Sequence, residues 1–464
     1  MYQQTIKQAT ELKGIGLHTG EEVTLKFLPS KPGTGISFQR VDLEGEPSIP
    51  ADVDLVVSVE RGTTLQKGEV KVATVEHLMA AISGMEIDNM IVQINSVEVP
   101  IMDGSSMPFI EAIEKAGIEE QSEERDAFEL RETISWKDEE TGVEMLAMPS
   151  SSYKLTALID YKSPVLGQQH ASLDRLSEFK NEFSGARTFC FLHELEQLVD
   201  ANLIKGGDLN NAIVVVDKPI SEEERLRLAE IFQRPDIQVV KEGILNNVEL
   251  RYQNEPARHK LLDMVGDLAL IGRPIKANII ASKPGHKANV EFGKIIKNHI
   301  KAQIRKPSVP KYDPDAEPIV DLPGIQGLLP HRAPFLFIDK VISLTPKEVV
   351  GVKGVTFNEP FFNGHFPGNP VMPGVIQIEA MAQTGGVLAL NTVEDPENYD
   401  TYFLKIDQAK FKRKVVPGDS LIIKMELISP IRRGIVEMKG TCFVGSSIVT
   451  EAVMVARIMR RETE

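Results

Sequence analysis

The stretch RKPSVPKYDPDAEP, residues 305–318, decides how the rest of the chain can fold. Its four prolines offer no amide donors and fix their own backbone angles, and its charged residues resist burial, so neither a helix nor a central strand is expected to cross it. Such a stretch reads as an exposed tether between independently folded parts. The whole chain, 464 residues, exceeds what one core accommodates, since domains run to about 100–200 residues. We therefore expect a first domain over 1–125, a second over 126–304, a linker over 305–320 and a third domain over 321–464.

Alternating apolar residues in EEVTLKFLP and NMIVQINSVEV mark strands in the first domain, and TVEHLMAAISG and SSMPFIEAIEKAG switch to helical spacing. The second repeats the style, with strands near MLAMP, YKLTALIDY and KANIIASK and helices near ARTFCFLHELEQLV and ARHKLLDMVGDLALIG. Two tandem α+β units, each a sheet with helices, are implied, and a distant duplication is compatible with them although no residue-level repeat is visible. After the tether, GDSLIIKMELIS, GIVEMKGTCFVG and SIVTEAVMVARIM read as consecutive strands. The preceding helix, VIQIEAMAQTGGVLAL, is apolar nearly all round and should be wrapped by the sheet.

Composition narrows the function classes. A net charge of −15 without a block of lysine or arginine argues against nucleic acid as a partner. Two distant cysteines, Cys190 and Cys442, each inside an apolar run, suit reduced buried thiols and a cytoplasmic compartment. The opening residues lack the pattern of a secretion signal, and no stretch approaches the ~18 uncharged apolar residues of a membrane span.

His259 and Asp263 stand at i and i+4 in an apolar helix, about 6 Å apart along one face, a separation that lets two side chains hold one ion. A catalytic zinc site wants a third protein ligand and an open position. TVEHLMAA offers Glu76 and His77 together: a ligand, and a carboxylate able to take a proton from a water acidified by the ion. KPGHKAN places His286 on a glycine turn between strand-like stretches, where it could serve as an acid for the leaving group or as a cation for a tetrahedral intermediate. His18, His170, His193 and His299 are left as ordinary core or surface residues. KGIGLHTG, at 13–20, resembles a phosphate loop, but a strand-like EEVTLKF follows where a helix is required.

Taken in order, GIGLHTG, TVEHLMAAISGMEIDN, IMDGSSMPF, GARTF, RHKLLDMVGDLALIG and GHKAN resemble the zinc-dependent UDP-3-O-acyl-N-acetylglucosamine deacetylases of lipid A biosynthesis, over residues 1 to about 305. That resemblance implies Zn2+ held by His77, His259 and Asp263, with Glu76 as general base and His286 as acid. It further implies Thr188 polarising the acetamide carbonyl, Lys260 near the nucleotide sugar and Asp267 orienting His286. The family fold, two α+β domains of similar design, each a sheet layered with helices and with the zinc site between them, agrees with the organisation above. Its acyl chain should lie in an apolar passage of the second domain; Phe189 is a candidate contact, although core packing explains it equally well.

A second constellation lies in FFNGHFPGNPVMPGVIQIEAMAQ. His365 sits in a loop dense with glycine and proline, and Glu379 follows fourteen residues later inside the apolar helix, where a carboxylate needs a reason. A helix-face glutamate at a subunit boundary is one reading; pairing with His365 for proton transfer is the other. Dehydrating a 3-hydroxyacyl thioester needs a base, an acid and donors for an enolate-like oxygen. The first-turn amides after Pro373 and Gly374 could be those donors, with no cofactor.

LLPHRAPFLFIDKV, the His365 motif and FKRKVVPGDSL resemble the beta-hydroxyacyl-acyl-carrier-protein dehydratases of hot-dog fold, over about 321–464. The resemblance implies His365 and Glu379 as the catalytic pair and a dimer whose sites are shared between subunits, often assembled further into trimers of dimers. His331 and Arg332 are assigned to structure.

The expectation is one cytoplasmic polypeptide with two enzymes, one acting on a UDP-sugar lipid precursor and the other on an acyl-carrier protein. Rival readings make the third domain a hot-dog thioesterase or a non-catalytic oligomerisation module. The rival for the metal half is a metallopeptidase, whose H-E-x-x-H spacing the LMAA after His77 does not supply.

Overall fold

The computed structural model describes residues 2–60, 62–194, 205–206, 211–218, 221, 225–227, 243–245, 249–305 and 309–461. The chain divides into two compact units, residues 1–303 and 304–464.

In the first half of unit one, strands β1 (Thr10–Ile15), β2 (Glu22–Pro29), β3 (Ile36–Arg40), β4 (Ser48–Pro50) and β5 (Met90–Ile94) form a sheet in the order β1-β2-β5-β3-β4. Helix α1 (Glu76–Gly84) precedes β5 and α2 (Met107–Ala116) follows it. In the second half, β6 (Ile134–Asp138), β7 (Val143–Pro149), β8 (Lys154–Asp160), β9 (Gln168–Leu173) and β10 (Ile275–Ser282) take the order β6-β7-β10-β8-β9. Helix α3 (Glu255–Ala269) precedes β10 and α4 (His286–Arg305) follows it. β3 and β5 are parallel, as are β8 and β10, and the other neighbours in both orders are antiparallel. The halves share strand order, strand direction and helix placement, so the duplication is plain in topology. Each also carries a three-stranded insert between its fourth strand and the following helix. Val56–Ser58, Thr64–Lys67 and Val70–Val72 form the first insert; Phe189–Phe191, Ile213–Val216 and Gly243–Ile244 form the second.

Alternation drives the sheets: Val23, Leu25 and Phe27 of β2, and Ala277, Ile279 and Ala281 of β10, point into one continuous core shared by both halves. Helices α1 and α3, equivalent in the two repeats, pack against each other at its centre. A Cβ on Gly266 would lie 2.0 Å from the Glu76 carbonyl oxygen, so only glycine lets the two backbones come this close.

Two local expectations change. Phe189–Phe191, expected in a helix, is a strand parallel to Ile213–Val216, because two aromatics flanking Cys190 gain more from sheet pairing than from helical propensity; residues 195–199 of the expected helix lie outside the described residues. His286 opens α4 instead of lying between strands, and Val290, Phe292, Ile296 and Ile300 bury one face of that helix.

Unit two is a six-stranded antiparallel sheet around one helix. Strands β11 (Lys340–Leu344), β12 (Glu348–Gly354), β13 (Tyr399–Phe411), β14 (Ser420–Leu427), β15 (Ile435–Val444) and β16 (Ser447–Arg460) take the order β11-β12-β14-β15-β16-β13. The apolar helix, α5 (Gly374–Leu390), lies on their inner face, as its all-round hydrophobicity requires. β11, β12 and β13 were not among the strands expected. In β13 Tyr402, Phe403, Leu404, Ile406 and Phe411 are exposed along the sheet edge, so its text lacks the in-out alternation that marks a half-buried strand.

Part of the stretch read as an exposed tether is held on unit two. Ile319 and Val320 donate their amides to the Val341 carbonyl, and Tyr312 joins Val350, Val352, Ile422 and Phe443 on the outer sheet face, with Lys340 Nζ 5.1 Å from its ring centre. Both cysteines are unpaired; Cys442 is buried and Cys190 is half-buried, where desolvation pushes its thiol up to about 12. Among the described residues no helix is long and apolar enough to cross a membrane.

Candidate metal centre and carboxylate–histidine site

The N-terminus of α1 and one face of α3 meet where the repeats join. His77 Nε2 lies 3.6 Å from Asp263 Oδ1, and His259 Nε2 lies 3.3 Å from the same oxygen. All three ligand atoms fall within 4.8 Å of one another and are buried. Ligands about 2.0–2.2 Å from a tetrahedral ion stand roughly 3.3 Å apart, which is this spacing. Asp263 Oδ1 has no hydrogen-bond donor despite being buried, a costly state for an anionic oxygen that a cation relieves. His259 Nδ1 lies 3.0 Å from the Ala186 carbonyl; donating its proton there leaves Nε2 bare toward Asp263. The three side chains therefore fit a divalent metal.

Around them the other expected residues gather. Glu76 is buried, its Oε2 accepts from the Thr63 amide at 2.8 Å, and its Oε1 stands 4.0 Å from His286 Nε2. Burial raises its carboxyl above the ordinary value, against the pull of His286 and His77. His286 Nδ1 contacts Asp267 Oδ2 at 2.9 Å, and its Nε2 lies 3.9 Å from Asp263 Oδ2. Burial disfavours the imidazolium, but Asp267, Asp263 and Glu76 outweigh it and hold His286 up to about 10. Lys260 donates to Asp263 Oδ2 at 3.0 Å, so it stands on the ligand carboxylate itself, with Nζ 5.5 Å from the Phe189 ring centre. Thr188 is half-buried at the entry to the second insert, its amide donating to the Gly104 carbonyl at 2.8 Å.

Phe189 faces His259 edge-on at 6.4 Å and Tyr161 at 5.6 Å; Phe191 lies 5.5 Å from Tyr161. Phe189 and Phe191 form, with Leu166, Ile213 and Val215, a small apolar cluster separate from the main core. Tyr161 and Phe191 were missed in the sequence, where Tyr161 reads as a strand-end aromatic and Phe191 as part of a helix. Thr63 and Asn289, both hydrogen-bonded to Asp267, were missed too, because their partner lies far away in the text or behind a turn. The GIGLHTG loop also has a use for its amides: those of His18 and Thr19 donate to the buried carboxylate of Glu98.

In unit two, His365 and Glu379 are not brought into contact; among the described residues no ion pair joins them within 4 Å. His365 Nδ1 lies 2.7 Å from the Val371 carbonyl, which leaves Nε2 available. Glu379 Oε1 accepts from Gln383 Nε2 at 2.9 Å and stands 3.7 Å from His331 Nε2. Gln383 is fixed in turn, donating to the Phe335 carbonyl at 2.9 Å and accepting from the Phe337 amide at 2.7 Å. Glu379, His331 and Gln383 line a cavity of about 210 Å³ floored by Met425, Met438 and Met454. Arg332 binds the carbonyls of Gln326, Leu329 and His331, the structural part expected of it, whereas His331 faces the carboxylate. Gly374 begins α5 after Pro373, and a Cβ there would strike the Phe411 ring at 2.5 Å.

The chain matches the family model for UDP-3-O-acyl N-acetylglycosamine deacetylase over residues 3–235 and 235–298, and that for a FabA-like domain over 329–453. Among its relatives, proteins named bifunctional enzyme LpxC/FabZ from Bacteroides thetaiotaomicron and Porphyromonas gingivalis are each 47% identical over 99% of both chains. A protein of the same name from Chlorobaculum tepidum is 46% identical, covering 100% of this chain and 99% of its own.

Proposed function

Because the chain belongs to the UDP-3-O-acyl N-acetylglycosamine deacetylase family and carries a FabA-like domain behind it, we propose that it is a bifunctional enzyme of lipid A and fatty acid synthesis. Residues 1–304 hydrolyse the acetamide of UDP-3-O-(3-hydroxyacyl)-N-acetylglucosamine. Residues 321–464 dehydrate (3R)-hydroxyacyl-acyl-carrier protein to the trans-2-enoyl thioester. Both act in the cytoplasm, where their nucleotide-sugar and carrier-bound substrates are made.

The observation that carries the first activity is the buried Asp263 oxygen with no donor, between two imidazoles and one residue-width from a carboxylate of raised pKa. Zinc is the ion we assign to His77, His259 and Asp263; when bound it supplies a Lewis acid that brings water's pKa toward neutrality. Glu76 takes a proton from the attacking water, whose oxygen bonds to the acetamide carbon. As the C–N bond breaks, His286, held by Asp267, delivers its proton to the departing amine, so acetate and the free amino sugar leave. Thr188 donates to the acetamide oxygen, Lys260 reaches the nucleotide sugar, and Phe189 with its aromatic neighbours borders the acyl chain.

In the second activity His365 Nε2 removes the C2 proton while the Glu379 carboxyl gives a proton to the C3 hydroxyl, which departs as water and leaves the double bond. The Gly374 amide at the start of α5 holds the thioester oxygen. Since His365 and Glu379 do not meet within one chain, the working site combines residues of two protomers. The exposed apolar edge of β13 supports such a dimer, and trimers of dimers are its further assembly.

The test is to assay both reactions on the full chain before and after strong chelation, then after adding back zinc or other divalent ions. Deacetylation should vanish and return with zinc, while dehydration stays unchanged. Deacetylation that survives complete metal removal would refute the first mechanism.

A further inference from the structure

Glu76 and Asp267 come from opposite repeats of unit one, and Thr63 hydrogen-bonds to both. Thr63, fully buried at the turn into the strand Thr64–Lys67, donates its amide to Glu76 Oε2 at 2.8 Å and its hydroxyl to Asp267 Oδ1 at 2.6 Å. Each bond engages an oxygen turned away from His286. The other oxygen of Glu76 faces His286 Nε2, and the other oxygen of Asp267 binds His286 Nδ1 and the Asn289 amide group. The preceding Gly62 has φ +128, and a Cβ on it would fall 2.7 Å from Glu76 Oε1, so the turn lies directly against the base.

We infer that Thr63 is a positioning residue for deacetylation: through its two hydrogen bonds it sets the distance between the general base and the acid across the seam of the two repeats. This rests on the deacetylase reading above. The hydroxyl works through Asp267 and His286, whereas the amide works on Glu76 whatever the side chain. A hydroxyl that merely satisfies a buried carboxylate would affect stability alone. One that orients the acid affects turnover, because reacting groups displaced by about 1 Å lose on the order of a hundredfold in rate.

The experiment uses the full-length, zinc-loaded protein and the variants Thr63→Val, Thr63→Ser and Thr63→Ala, with His286→Ala alone and combined with Thr63→Val. We expect Thr63→Val to lower kcat by about a hundredfold with KM changed less than about threefold and zinc content intact. Thr63→Ser should restore wild-type kcat. In the His286→Ala background the valine should cost nothing further, since the group through which the hydroxyl acts is gone. Wild-type kcat in Thr63→Val, an equal loss in Thr63→Ser, or losses that multiply in the double variant would each overturn the inference. Should the valine chain fail to fold, Thr63→Ala is read by the same criteria. An inactive wild type would instead overturn the deacetylase reading itself.

Discussion

The two sites solve opposite problems. In unit one the carboxylates of the site are buried, His286 and Lys260 are partly buried, and each has its counterpart within the same chain: Glu76 with Thr63, Asp267 with Thr63, His286 and Asn289, Asp263 with Lys260. In unit two Glu379, partly buried, accepts from Gln383, and His365 is fixed through Nδ1 on a backbone carbonyl with Nε2 left available, while among the described residues no ion pair joins the two. A buried charge must be compensated before the chain can fold, so the carboxylates of unit one are met by their own chain, whereas a partly exposed carboxylate is free of that requirement.

The contrast breaks most sharply on single substitutions at the metal. His77→Ala and Asp263→Ala should reduce deacetylation to background, and Glu76→Gln should cost about 10² to 10⁴ in kcat, each with dehydration unaltered. Loss of both activities would mean that the units are not separate catalysts. Next in size is complementation. Mixing His365→Ala and Glu379→Gln chains through reversible denaturation should recover about a quarter of wild-type dehydration, the yield of random pairing in a two-fold dimer. Glu76→Gln mixed with Asp263→Ala should recover no deacetylation, and any recovery would show that site to be shared as well.

A third measurement compares ion pairs. Arg187 binds Glu255 through Nε at 2.9 Å, and the carboxylate is fully buried; Arg187→Leu should destabilise unit one by about 3–5 kcal/mol in denaturant titration. Lys424→Met, facing the partly exposed Glu348 and Glu426, should cost about 1 kcal/mol or less. The smallest effect is that of pH at the surface. Lys297 holds the carboxyl of the half-exposed Asp54 below its ordinary 3.8, so this stabilisation is present above pH 3.8 and fades as pH falls through the lower folded value. Lys297→Met should flatten that acid limb by under about 1 kcal/mol after screening, and a larger change would mean that the pair is stronger than its exposure allows.

What could be read in the text follows from how local each signal is. His259 and Asp263 share one helix face, and Glu76 and His77 are neighbours, so their chemistry shows in short windows. Strand order does not: the duplicated 1-2-5-3-4 arrangement depends on pairings between strands as distant as Leu155 and Ile279. Thr63 and Asp267, 204 positions apart, are joined by one hydrogen bond that no spacing rule anticipates. His331 was assigned to structure together with Arg332, since nothing in the text near it points to a carboxylate partner; only the folded chain turns it toward Glu379. The edge strand β13 was missed for the same reason that it suits a partner, since its exposed aromatic and aliphatic side chains do not alternate with polar ones.

The grip of Gln383 on a single oxygen of Glu379 has a stereochemical consequence. A free carboxylate is symmetric and can approach a substrate with either oxygen; one tied at Oε1 has two inequivalent oxygens. In the proposed dehydration only Oε2 would remain to transfer the proton, so the side from which the C3 hydroxyl is protonated would be fixed. Enantiomer choice would then be written into a glutamine one helical turn away, before any part of the acyl chain is recognised.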